Sequence, residues 1–159
     1  AWNDAIDLAS DNVTIKNTII HDLHPSSTTG IWCHENFTLN LENVLMYGVM
    51  ARGVRFHSYG ANPTFNLNVK NSTFDTPFLF TAATPATADF SGANVVLVNS
   101  IFDYIGHDPF LADPNFTGSK NIITGGSSAH DFVGLNSTNS AINVNFIDSA
   151  DLPLSLIHI

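Results

Sequence analysis

One short phrase is written into this chain again and again, and it limits the fold more than any other feature. An alternating apolar strand ends in Asn and turns at once into a second strand. Asn12-Val13-Thr14-Ile15-Lys16-Asn17 runs into Thr18-Ile19-Ile20-His21. The pattern returns as Leu39-Asn40-Leu41-Glu42-Asn43, Leu67-Asn68-Val69-Lys70-Asn71 and Val95-Val96-Leu97-Val98-Asn99, with a fifth copy at Val144-Asn145-Phe146-Ile147-Asp148. The closing residues lie 26, 28 and 28 apart, and the last gap of 49 is close to two periods. A fixed period of this size implies stacked coils, each burying its apolar face against the next.

Aligned on the Asn, the copies separate into chemical columns. Val13, Leu39, Leu67, Val95 and Val144 share one column and Ile15, Leu41, Val69, Leu97 and Phe146 another, so these alternate positions point inward. Between them Thr14, Asn40, Asn68 and Asn145 point out, as do Lys16, Glu42 and Lys70, whose order sets opposite charges side by side. The Asn column has its own cause. A one-residue corner between strands requires a left-handed backbone, which Asn tolerates, and stacked carboxamides hydrogen-bond from rung to rung. Beyond the corner run Ile19, Leu45, Thr73 and Ile101, then Ile20, Met46, Phe74 and Phe102, then His21, Tyr47, Asp75 and Asp103.

A third strand stands upstream of each Asn strand. Ile6-Asp7-Leu8-Ala9, Ile31-Trp32-Cys33-His34, Val54-Arg55-Phe56-His57, Phe78-Leu79-Phe80-Thr81 and Phe110-Leu111-Ala112-Asp113 repeat at steps of 25, 23, 24 and 32. Asp7, Trp32, Arg55, Leu79 and Leu111 are expected outward, with Ala9, His34, His57, Thr81 and Asp113. The coil around residues 114–126 fits poorly: Asn121 to Thr124 reads as its second strand, with the corner at Thr124 or Gly125. Stretches rich in Pro, Ser, Thr, Ala or Gly at His24–Thr29, Ala83–Gly92 and Tyr104–Asp108 read as inserted loops.

Three strands per coil, parallel from coil to coil, with an Asn corner between the second and third, resemble the right-handed parallel β-helix of the pectate-lyase-like superfamily. The expectation is an all-β solenoid of about six coils. The segments Asn121 to Ala129 and Ala141 to Asp148 also resemble the closing coils of bacterial right-handed β-helix repeat proteins. Leu154-Ser155-Leu156-Ile157-His158-Ile159 is similar to the translation of a transposase end used in sequencing libraries. Together these predict a single β-helix domain over residues 1–153, incomplete at both ends, followed by a library-derived tail over 154–159 of a truncated metagenomic gene.

Composition narrows the function. The 159 residues include 44% hydrophobic and only 12% charged, and the formal net charge is −9 with five Lys and Arg. Nucleic acid is disfavoured as a partner, because backbone binding depends on Lys and Arg. No apolar run reaches the roughly 18 residues of a membrane helix. The single cysteine, Cys33, excludes an internal disulfide and a cysteine zinc cluster. Five Asn-x-Ser/Thr sequons begin at Asn12, Asn36, Asn71, Asn115 and Asn136, a number that a chain rich in Asn, Ser and Thr produces by chance.

The resemblance implies a polysaccharide, acidic in the lyases, bound along the first sheet of a secreted or cell-surface protein, here expected as a monomer. On that face Trp32 would stack on a sugar, Arg52 and Arg55 would grip a uronate carboxylate, and His57 or His34 would move a proton in β-elimination or hydrolysis. Glu35 and Asp113 complete the set. His34 and His57, adjacent in one column, would alternatively share a metal with Glu35, a weaker reading. Calcium has no clear site, and no cofactor is expected. On the third strand Asp75 and Asp103 would stand about 5 Å apart, a spacing that suits a retaining carboxylate pair or a bound cation. The Asn-Thr-Asp, paired-Asp and Gly-His-Gly signatures of polygalacturonase-like hydrolases are absent, as is the clustered-Asp calcium site of typical pectate lyases. A lyase therefore ranks ahead of a hydrolase. The rival is a non-catalytic surface or adhesion module whose outer columns serve only solubility.

Overall fold

The computed structural model describes residues 3–9, 12–22, 28–34, 36–48, 52–60, 62–108 and 110–126. The copy at Val144 to Asp148 and the tail at 154–159 lie outside them. The described chain forms a parallel β-helix built from β1 (Asn3–Leu8), β2 (Asn12–His21), β3 (Thr28–Cys33), β4 (Thr38–Tyr47), β5 (Arg52–Ser58), β6 (Asn66–Lys70), β7 (Thr73–Ala82), β8 (Asn94–Val98), β9 (Ile101–His107), β10 (Asn115–Ser119) and β11 (Ile122–Gly126). Every strand pair between coils is parallel.

The second wall stacks five rungs: the first halves of β2 and β4, then β6, β8 and β10, with Val13, Leu39, Leu67, Val95 and Phe116 in one column. Repeat counting gives about six coils, one of them on the copy outside the described residues. The first wall is β1, β3, β5 and the ends of β7 and β9, and the third holds the second halves of β2 and β4, the starts of β7 and β9, and β11.

The corner between the second and third walls forms as expected. Asn17, Asn43, Asn71 and Asn99 all adopt positive φ, between 49° and 54°. Their carboxamides climb the outside: Asn43 Nδ2 donates to Asn17 Oδ1 at 3.0 Å and Asn99 Nδ2 to Asn71 Oδ1 at 2.8 Å. Two further amide pairs stand on the second wall, in different columns: Asn68 Nδ2 donates to Asn40 Oδ1 at 2.9 Å and Asn94 Nδ2 to Asn66 Oδ1 at 3.1 Å. Lys16 and Glu42 form the expected ion pair at 2.6 Å.

Inside the corner lies a second ladder that the repeat columns do not announce. The backbone N–H just after each corner is turned out of the wall-to-wall pattern and needs an acceptor. Ser72 Oγ takes the N–H of Val44, Ser100 Oγ takes that of Ser72, and Asn121 Oδ1 takes that of Ser100, each at 3.1 Å. Each group also donates to a backbone carbonyl: Ser72 Oγ to Lys70 O and Ser100 Oγ to Val98 O within the same coil, and Asn121 Nδ2 to Leu97 O of the coil before. All three side chains are buried. Behind them the core is aromatic, with Phe37 stacked on Phe65, Phe56 on Phe80 and Phe74 on Phe102, ring centroids 4.8–5.3 Å apart.

Three sequence expectations are corrected. First, Phe110 to Asp113 is not the fifth rung of the first wall. Phe78 pairs with Ile105 and Phe80 with His107, so Tyr104–Asp108 is not an inserted loop. The third and first walls are continuous in β7 and β9, which leaves no gap for a loop. Ala112 instead bridges Asp89, beside the wall. Second, the last corner is Lys120, at φ 58°, and not Thr124 or Gly125. The strand before it is β10, whose core-facing pattern is blurred because Gly118 stands opposite Leu97. Third, the ladder between Asp75 and Asp103 is interrupted. The register slips between Phe74 and Pro77, so Asp75 and Thr76 on β7 face the single residue Asp103 on β9.

Substituting Asn43 with Val is expected to destabilise the chain by about 1–3 kcal/mol, through corner strain and a lost ladder bond. Urea denaturation measures this, and an unchanged midpoint and slope would refute the structural role of the corner.

Candidate functional site

The first wall gathers its outward residues by register. Trp32 pairs with Arg55 and Arg55 with Leu79; one step along, His57 pairs with Thr81. His34 follows Cys33, which pairs with Phe56, so His34 and His57 are column neighbours as the alternation requires. The expected strip of Trp32, Arg55, His34 and His57 thus exists as one cluster of contacts.

Its side chains hold one another. The Arg55 guanidinium lies over the Trp32 ring, with Cζ 4.7 Å from the centroid. Arg55 Nε donates to Thr81 Oγ1 at 3.0 Å, and the Thr81 hydroxyl donates to Phe56 O at 3.1 Å. His57 Nδ1 lies 2.9 Å from Thr81 Oγ1. His57 Nδ1 is also 3.3 Å from Arg55 Nη2, a group that can only donate, so Arg55, His57 and Thr81 form one hydrogen-bonded set. His34 Nε2 is 2.8 Å from Asp7 Oδ1, and its ring stacks between Trp32 at 6.0 Å and Tyr59 at 6.1 Å. Tyr59 also meets His57 edge-on at 4.6 Å and is 61% exposed.

Two consequences run against the sequence reading. Trp32 is only 5% exposed, so it is covered and offers no open platform for a sugar ring. The hollow lined by His34, Phe56, His57 and Phe65 has a volume of about 10 Å³, the size of one water. The strip is a ring-capped surface rather than a deep cleft.

Two of the five cations stand here. Both arginines of the chain stand at β5, while the three lysines stand at Lys16, Lys70 and Lys120, on the second wall or its corner. Burial, and then neighbouring Arg52, pull Arg55 below the usual arginine value. Arg52 shares its column with the buried Thr29. Arg52 makes no hydrogen bond or ion pair among the described residues.

The remaining candidates scatter. Glu35 lies outside the described residues. Asp113 is not in the His34–His57–Thr81 column; the acid there is Asp108, which follows His107 and accepts from Ala82 N at 3.1 Å. Asp75 and Asp103 are half-buried at the bulge on the third wall, away from the strip. No group of three His, Cys, Asp or Glu among the described residues is placed to hold a metal ion. Asp108 and Tyr59 were missed by sequence reasoning, the first because its segment reads as a loop. Tyr59 had a signal: it lies two residues beyond His57, at the strand end, on the same side of the pleat.

No protein-family model, curated protein or solved structure matches this chain.

Cys33 points into the core and is fully buried; burial, and then Asp7, push its thiol well above the ordinary value. At neutral pH it is therefore expected to stay unreacted with a thiol reagent until the chain unfolds, and rapid labelling of the native protein would contradict this placement.

Proposed function

We propose that this chain engages an acidic polysaccharide along its first wall, as part of a secreted, monomeric bacterial β-helix protein of the pectate-lyase-like kind. The observation that supports the reading most is the pair of arginines on β5. In a chain of net charge −9, both arginines stand on one wall with His34, His57 and His107, and Arg52 has no carboxylate partner among the described residues. A uronate carboxylate is the group such a guanidinium recognises. Tyr59, exposed at the end of the strip, supplies the ring that buried Trp32 does not.

In the lyase form of this reading, His34, oriented by Asp7, or His57, beside Thr81, takes the C5 proton next to the uronate carboxylate while Arg55 and Arg52 balance its charge. The electron pair forms the C4–C5 double bond, the C4–O bond breaks, and the leaving oxygen takes a proton from water. The non-catalytic module draws support from a different observation: the covered Trp32 and the one-water hollow favour a surface that binds without enclosing a reacting sugar.

The test uses the 159-residue chain with polygalacturonate and alginate, combining affinity electrophoresis with ultraviolet detection of unsaturated products. Retarded migration that weakens about tenfold or more in Arg52→Ala and Arg55→Ala, and that fades with added salt, supports the wall as the binding surface. Ultraviolet-absorbing product assigns the lyase form, and binding without product assigns the module. No retardation by either polymer would overturn the proposal.

A further inference from the structure

A second concave surface lies on the outside of the Asn corner, between the second and third walls. It is a groove of about 750 Å³ that follows the helix axis. Five rungs line it, so at about 4.8 Å per step it is roughly 19 Å long. One edge is the carboxamide column of Asn17, Asn43, Asn71 and Asn99, bonded as the pairs Asn17–Asn43 and Asn71–Asn99 and closed at the far end by Lys120. The floor is the outward column Ile19, Leu45, Thr73, Ile101 and Ile122, in which Ile19 is 48% exposed.

We propose that this groove binds a neutral, hydroxyl-rich polysaccharide chain lying along the axis, at a site separate from the first wall and independent of the reading given for it. Three features carry the assignment. Each ladder bond uses one of an amide's two N–H groups and one of its two lone pairs, which leaves a donor and an acceptor on exposed carboxamides. Beside each amide stands an apolar side chain or the Thr73 methyl. Four of the five rungs therefore pair an amide edge with an apolar floor, matching the hydroxyl edge and C–H face of a sugar unit. The repetition of that pair favours a polymer over a single small ligand.

Charge selects against other occupants. Among the described residues no carboxylate lines the groove, and the one charged side chain is Lys120 at the end. A polyanion would meet a single cation within a chain of net charge −9. An extended peptide is disfavoured for a geometric reason. Strand addition needs open backbone groups at a sheet edge, whereas here the backbone bonds run along the axis and are taken by neighbouring rungs, as Ile101 N to Ser72 O and Ile122 N to Ser100 O show.

The test measures binding of xylohexaose, cellohexaose and mannohexaose to the full chain by titration calorimetry, alongside polygalacturonate on the same samples. Thr73→Glu and Ile101→Glu each set a carboxylate on the groove floor, and circular dichroism checks that both variants keep the parent's fold. Neutral-hexasaccharide binding at least tenfold weaker in the folded glutamate variants, and unchanged in Arg55→Ala, supports the proposal. Should Ile101→Glu unfold, Thr73→Glu replaces one polar side chain by another and decides alone. Parent affinity retained in Thr73→Glu, or no binding of any neutral hexasaccharide to the folded parent, would overturn it. Because polygalacturonate is read separately, failure of the first-wall reading leaves this result interpretable.

Discussion

A parallel coil that bends through one left-handed residue must keep its axial hydrogen bonds running while the backbone turns away from them. Among the described residues three corners, at Asn43, Asn71 and Asn99, meet that demand with side chains on both sides of the turn. Outside, Asn carboxamides bond to one another; inside, Ser72, Ser100 and Asn121 accept the backbone N–H that the turn leaves behind. An N–H buried without an acceptor costs about 1–3 kcal/mol, a large fraction of a small domain's stability. The inner ladder is therefore as necessary as the outer one.

Register at the corner sets register everywhere else. A slip of one residue would exchange the inward and outward faces and drive Asn40, Asn68 and Lys70 into the phenylalanine core. With the corners held, Trp32, Arg55 and Leu79 align on the outer face of the first wall, and His34 joins His57 and Thr81. Contacts then fix the chemistry of the strip. Arg55 and the two histidines cover Trp32, Thr81 ties Arg55 to His57, and Asp7 holds His34. The same corner, seen from outside, makes the groove of amides and apolar side chains.

The fold was legible wherever a corner is an Asn and its strand alternates large apolar residues with polar ones. Legibility failed where one residue type does another's work. Lys120 adopts the corner conformation without the Asn signal, and Gly118 empties a core position of β10. Tyr104–His107 carries a single large aliphatic residue, Ile105, and so reads as a loop, although it continues β9 into the first wall. The candidate strip was legible as a set of columns because pleat alternation places side chains. Coverage was not, because it depends on the reach of long side chains across rungs: alternation puts Trp32 outward, and the Arg55 guanidinium and the His34 and His57 rings pack against it. The inner Ser ladder was invisible for a similar reason, since Ser after Asn is common in turns of every kind.

The central claim is that neighbouring corners are energetically coupled through their ladders. A double-mutant cycle at Asn71 and Asn99, with each replaced by Ala singly and together and unfolded in urea, tests it most directly. A coupling energy of about 0.5–1.5 kcal/mol is the result this account predicts. Additivity to within about 0.3 kcal/mol would show that the corners act independently, and would contradict it.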